Sequence, residues 1–266
     1  MDKIKLLVKD DLSKIENNLK TLITPDNEPI CDLSKFIQEN SKRIRSILSL
    51  LYLKANNVDV NNDVINLLTA SELIHNASLI HDDIVDNSEI RRGKQSLFGK
   101  YDSKLSVLLG DYTLSYAIKH LLLIDNRKIL DIFLEVTKKM SNAEIIQYTN
   151  RNSQPKIEDY IDIIKGKTAS LFAGTLECLA ILTQINSQKA KNIGELFGII
   201  FQINNDQNHD SMLNDTKNGV YTATNILGIE KTQALKDNYK QELRELLIEI
   251  PDNIYKQGIE GLINLL

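Results

Sequence analysis

The stretch 63-DVINLLTASELIHNASLIHDDIVD-86 decides the fold class. Val64, Leu67, Leu68, Leu73, Ile74, Ala77, Ile80 and Ile84 recur at spacings of three, four and seven, the period of a helix with an apolar face. The run ends on acid, 81-HDDIVD-86. Asp is a poor helix former away from a helix N-terminus. Asp82 and Asp86, four apart, share one face and repel each other. Three Asp usually mean a solvated helix end. A costly acid cluster at the end of a core-like helix points instead to a hard cation, Mg²⁺ rather than zinc.

The same period continues outward from this stretch, through 102–124, 128–149, 157–184 and 189–213. Leu48, Leu50, Leu51 and Leu53 belong to a segment apolar almost all round, hence buried. No Pro lies between Ile30 and Gln154, and the 266 residues hold only four Pro and eleven Gly. Pro costs about 3 kcal/mol inside a helix, so this spacing favours long helices. The pattern predicts about ten helices, over 2–22, 32–55, 60–88, 102–123, 127–151, 157–185, 187–212, 220–228, 231–248 and 252–264. The breaks 24-TPDNEP-29, 91-RRGK-94, 152-NSQP-155 and 214-NDTKNG-219 lack linker length or composition, which predicts one all-α domain over 1–266.

Composition narrows the function. A net charge of −4 gives no basic field for nucleic acid. Two distant Cys, Cys31 and Cys178, exclude a zinc ribbon and a disulfide framework and suit a reducing compartment. The start, MDKIKLLVKDD, does not read as a signal peptide, and no apolar run is long enough to span a membrane. A cytoplasmic protein is expected.

Charge of the opposite sign follows the acids. Arg91, Arg92 and Lys94 come within eight residues of Asp86, and 42-KRIR-45 puts Lys42 and Arg45 three apart on one face. Arg forks match phosphate oxygens and Lys acts as a point charge. Each basic cluster alone reads as surface decoration; acids and bases together are the equipment of diphosphate chemistry. No Walker loop and no GxGxxG occurs, so side chains and metal must hold the phosphates.

The stretch 72-ELIHNASLIHDDIVDNSEIRRGK-94 resembles the first aspartate-rich motif of trans-prenyl diphosphate synthases, DDxxD followed by RRG. The pieces 42-KRIR-45, 109-LGDYTLSYA-117, 144-EIIQ-147, 166-GKTASLF-172 and 201-FQINND-206 occur in that family's order, so the resemblance covers roughly residues 40–225. It implies an all-α barrel of mostly antiparallel helices around a deep cavity. It implies head-to-tail condensation of isopentenyl diphosphate onto an allylic diphosphate, and usually a homodimer.

The resemblance also assigns roles. Asp82 and Asp86, with Asp83 beside them, are expected to ligate Mg²⁺ on the allylic diphosphate, with three ions when substrate is bound. Arg91 and Lys167 are expected on that diphosphate. Lys42, Arg45, His75 and Arg92 are expected on isopentenyl diphosphate. Thr168, Gln202 and the carbonyl of Lys167 are expected to face the allylic cation. By themselves, His75 reads as a half-buried imidazole, and Thr168 as a hydroxyl bonded back to the preceding turn.

The second motif departs from the family's FQxxDDxxD. Its three acid positions are Asn205, Asp206 and His209. Either Asn205 and Asp206 hold the remaining metal, or the helix turns and Asp206 pairs with Asp210; Gln202 fixes the register in favour of the first. In 215-DTKNGVYT-222, Val220 stands where lysine is expected, and Lys217 is the candidate to reach the diphosphate. Small residues, Ala77 and Ser78, occupy the positions where short-chain members carry Phe or Tyr. The expected product is therefore longer than C15, a quinone side-chain precursor, with Ile74, Phe133 or Met140 as the floor. The runner-up is a weakly active or non-catalytic subunit of a hetero-oligomeric synthase. A terpene cyclase is third, because it needs no isopentenyl site.

Overall fold

The computed structural model describes residues 1–20, 27–38, 41–91, 93–207 and 218–266. Its helices are α1 (Asp2–Leu6), α2 (Lys9–Lys20), α3 (Glu28–Gln38), α4 (Ile44–Ala55), α5 (Asn62–Val85), α6 (Leu97–Lys100), α7 (Ser103–Leu122), α8 (Arg127–Thr149), α9 (Ile157–Ile164), α10 (Ser170–Leu182), α11 (Ser187–Asp206), α12 (Ala223–Leu227), α13 (Ile229–Leu247) and α14 (Ile254–Leu265). A π-helical turn, Lys165–Ala169, joins α9 to α10. The strands among the described residues are β1 (Ile90–Arg91) and β2 (Lys94–Gln95), an antiparallel pair that turns at Gly93 with φ +76°. The architecture is all-α, as expected. No helix among the described residues is long and apolar enough to cross a membrane.

α5 is the helix read from the acid-tipped stretch. Asn61 caps it by accepting the Val64 N–H at 3.0 Å. Leu67, Leu68, Leu73, Ile74 and Ile80 are buried. Each contributes roughly 1.5–3 kcal/mol relative to exposure.

The chain divides into two compact units, Val8–Leu50 with Asp59–Leu130, and Met1–Leu7 with Leu51–Val58 and Asp131–Leu266. In the first, α5 packs along α7 and against α2. Gly110 of α7 permits the approach, because a Cβ there would lie 2.2 Å from His81 Nε2. In the second, α10 and α11 form the main pair. Gly194 and Gly198, one turn apart on α11, let its backbone touch that of its neighbour. A Cβ at Gly198 would lie 2.5 Å from Ala169 Cα, and one at Gly194 2.6 Å from the Phe172 carbonyl oxygen.

Three expected helices differ. The first, 2–22, divides between α1 and α2. The second, 32–55, is interrupted before Ile44, where Arg43 takes the left-handed conformation with φ +52°. A regular helix cannot pass through that backbone. The third, 157–185, carries the π-turn, in which the Ser170 N–H reaches back to the Lys165 carbonyl. The predicted end of 187–212 lies outside the described residues beyond Gln207.

Candidate active site

The C-terminal end of α5 presents the acids in two ways. Asp82 and Asp86 are half-buried and one turn apart; the Asp86 N–H closes the helix on the Asp82 carbonyl at 2.9 Å. Asp83 points inward and is 1% exposed. Its Oδ1 accepts the Arg91 Nε–H at 2.7 Å, which ties the β1–β2 hairpin to α5. Asp83 thus holds an arginine. Arg92 lies outside the described residues.

The donors at this helix end are carboxylate oxygens, the set a hard cation takes. Among the described residues no group of three or more His, Cys, Asp or Glu converges to hold a metal. A Mg²⁺ ion ordinarily takes one or two protein carboxylates and fills its shell with water and phosphate oxygens. The Asp82–Asp86 pair fits that habit.

One turn and more upstream on α5, Glu72 is buried and meets the start of α4. Arg43 Nη1 donates to Glu72 Oε2 at 3.2 Å, and Ser46 Oγ donates to Oε1 at 2.7 Å. Arg43 Nη2 donates to the Ile37 carbonyl at 2.9 Å. On either side of Arg43, Lys42 is exposed and Arg45 is buried; His75, one turn along from Glu72, is half-buried. Ala77 is buried, and Ser78 Oγ bonds back to the His75 carbonyl at 2.9 Å.

In the second unit the π-turn carries Lys167 and Thr168. Lys167 Nζ donates to Gln147 Oε1 at 2.8 Å and lies 2.5 Å from Glu144 Oε2, both on α8. Thr168 Oγ1 donates to Gln202 Oε1 at 2.8 Å; it is Ser170 that bonds back to the preceding turn, at the Gly166 carbonyl. A π-turn inserts one residue into the helical ladder, and such turns concentrate at functional sites.

The same chain of bonds reaches the second acid motif. Gln202 Nε2 donates to Asp206 Oδ1 at 2.6 Å, and Tyr160 Oη donates to Asp206 Oδ2 at 2.6 Å. Asp206 is 5% exposed. From α13, the buried Lys236 donates to Asn204 Oδ1 at 3.1 Å and Gln207 Oε1 at 2.7 Å, flanking Asn205 and Asp206. Burial pushes the Lys236 ammonium below the usual lysine range, with Lys240 adding to the shift. Asn205 is half-buried; His209, Asp210 and Lys217 lie outside the described residues.

Sequence reading gave no role to Arg43, Glu72, Glu144, Gln147, Tyr160 or Lys236. Arg43, Glu72, Glu144 and Gln147 lie within stretches that carry the family resemblance, but with no role of their own there. The other partners come together through tertiary packing and have no local pattern.

Several known proteins are similar to this chain. An octaprenyl diphosphate synthase from Haemophilus influenzae is 31% identical over 77% of this chain and 64% of its own length. The chain therefore spans just under two thirds of that relative. A short chain isoprenyl diphosphate synthase from Methanocaldococcus jannaschii is 29% identical over 97% of this chain and 83% of its own. A polyprenyl synthase structure from Caulobacter crescentus, complexed with calcium and isoprenyl diphosphate, covers 99% of this chain and 96% of its own with a TM-score of 0.91. At 22% identity that likeness speaks for the fold. Residues 31–250 match the family model for polyprenyl synthetase. By that match, which takes in both acid motifs and the π-turn between them, the chain belongs to the polyprenyl synthetase family.

Proposed function

We propose that the chain is a Mg²⁺-dependent prenyltransferase that adds isopentenyl diphosphate head-to-tail to an allylic diphosphate, acting as a single domain. The observation that carries this reading is the C-terminal end of α5. There, two half-buried carboxylates stand one turn apart while Asp83 holds Arg91 beside them.

In this reading Asp82 and Asp86 hold Mg²⁺ on the allylic diphosphate, and Asn205 and Asp206 hold a further ion. When bound, the metal neutralises the negative charge that develops on the leaving diphosphate. Arg91, steered by Asp83, and Lys167, steered by Glu144 and Gln147, are the groups assigned to the allylic diphosphate. The allylic C–O bond breaks and its electron pair leaves with diphosphate. Oxygen dipoles of Thr168, Gln202 and the Lys167 carbonyl face the cation that remains. The isopentenyl double bond forms the new C–C bond, and the released diphosphate takes the departing proton. Lys42, Arg45, His75 and Arg92 hold the isopentenyl diphosphate.

Small Ala77 and Ser78 one turn before Asp82 leave the growing chain room to pass. Each turn of open helix adds about 5.4 Å of depth. The product extends beyond C15, as a quinone side-chain precursor; the octaprenyl relative supports this length. A homodimer is supported by the exposed Val107, Leu108, Ile118 and Leu122 of α7 and Leu134, Ile145 and Ile146 of α8.

The test is to supply purified chain with Mg²⁺, farnesyl diphosphate and labelled isopentenyl diphosphate, and separate the products by length. A ladder ending at one length beyond C15, shortened in Ala77→Tyr, is the expected result. Products that stop at C15 or below when dimethylallyl diphosphate is the starter overturn the length, and no incorporation from either starter by folded protein overturns the activity. A second reading, a weakly active subunit of a hetero-oligomer, draws on Asp206, whose two oxygens already have partners within the chain. It predicts turnover only after a second chain is added.

A further inference from the structure

Arg43 and Glu72 form an ion pair whose side chains are each 2% exposed. A buried ion pair is weak evidence for stability, since an apolar pair of similar volume often serves as well. Its value lies in fixing one arrangement. This pair fixes a costly one: Arg43 sits at φ +52°, a region that side-chain-bearing residues rarely adopt and that recurs where surrounding contacts enforce it for function. Three pieces of chain meet at the clamp. Arg43 reaches the end of α3 through the Ile37 carbonyl, and Glu72 of α5 takes both Arg43 and Ser46 of α4.

We propose that Arg43 and Glu72 are positioning residues for the isopentenyl diphosphate subsite, a claim that rests on the prenyltransferase reading above. Lys42 directly precedes Arg43, Arg45 follows by two residues, and His75 lies one helical turn beyond Glu72. Three of the four groups assigned to that diphosphate, Lys42, Arg45 and His75, are therefore within three residues of a clamp member. The left-handed turn sets the direction in which Lys42 and Arg45 leave the backbone, and the ion pair holds that turn against α5. Displacing a binding group by about 1 Å can cost on the order of 100-fold, so a loosened turn acts on one substrate while the allylic site is left alone.

The experiment compares wild type with Arg43→Lys, which keeps the charge and loses the fork, and with the double variant Arg43→Met/Glu72→Met, which leaves no lone buried charge to unfold the chain. KM is measured separately for each substrate, alongside the thermal midpoint. The expected result is a rise of about tenfold or more in the isopentenyl diphosphate KM, an allylic KM within about twofold of wild type, and a folded protein. Equal rises in both KM values, or no change in either in a variant that folds, overturn the proposal. Should wild type turn over nothing, calorimetric binding of isopentenyl diphosphate separates the two claims. Binding by wild type and its loss in the double variant uphold the clamp without the activity; equal binding by both, or none by wild type, overturns it.

Discussion

Two helix ends in this molecule carry acid motifs, and they are built differently. At the end of α5, Asp82 and Asp86 are half-buried and only Asp83 is sunk into the protein, where it takes Arg91. At the end of α11 a single acid, Asp206, is buried, and Tyr160 and Gln202 each donate to one of its oxygens. In the proposed reading the first end supplies the carboxylates that hold a cation. The second has made its carboxylate part of a network that also orients Thr168 and Gln202. A buried carboxylate is costly without hydrogen bonds, and Asp206 has two donors from within the chain. The lesson is that two acid motifs of one chain can be held in different ways, one by its exposure and one by its hydrogen bonds.

Substitution at each end tests this contrast. The largest effect is expected at α5: Asp82→Asn or Asp86→Asn lowers kcat/KM on the order of 10²–10³-fold. The thermal midpoint holds or rises, because like charges one turn apart repel. Steady-state kinetics and a melting curve check both parts. Asp206→Asn comes next, with about a tenfold rise in the Mg²⁺ concentration for half-maximal rate. A loss as large as at Asp86 breaks the contrast.

Tyr160→Phe should act on stability more than on rate. Removing the donor to a buried carboxylate costs roughly 1–3 kcal/mol, read by denaturant unfolding. An unchanged midpoint shows that the 2.6 Å bond does not hold Asp206 in place.

The smallest effect concerns α7 beside α5. Burial first, and then Lys119, push the His120 imidazole below its usual value of 6.5. The folded state thus favours neutral His120. Its share of stability is intact above the unfolded pKa and is lost as pH falls below about 6.5 toward the folded value. A pH series of melting curves should slope there, and His120→Gln should flatten it.

Much of this was legible in the sequence because it is periodic or local. The apolar stripe of α5, the acid tip and the break at 91-RRGK-94 follow from spacing and residue type. The break at Arg43 was not, because nothing local marks an arginine for a left-handed turn; Glu72 enforces it from 29 residues away. The π-turn was hidden for a similar reason. Lys167 and Thr168 suit a regular helix equally well, and the close approach at Gly198 and the bond to Gln202 belong to the packed state. The fate of Asp206 depended on Tyr160, 46 residues earlier, which no motif spacing links to it.

The measurement that tests the account most directly is isopentenyl incorporation by wild type, Asp86→Asn and Asp206→Asn, titrated with Mg²⁺ in parallel. Wild type is predicted to extend farnesyl diphosphate, Asp86→Asn to stay on the order of 10²–10³-fold below it at every Mg²⁺ concentration, and Asp206→Asn to recover as Mg²⁺ is raised. No incorporation by wild type contradicts the proposed activity. An Asp206→Asn variant as inert as Asp86→Asn contradicts the division of labour between the two helix ends.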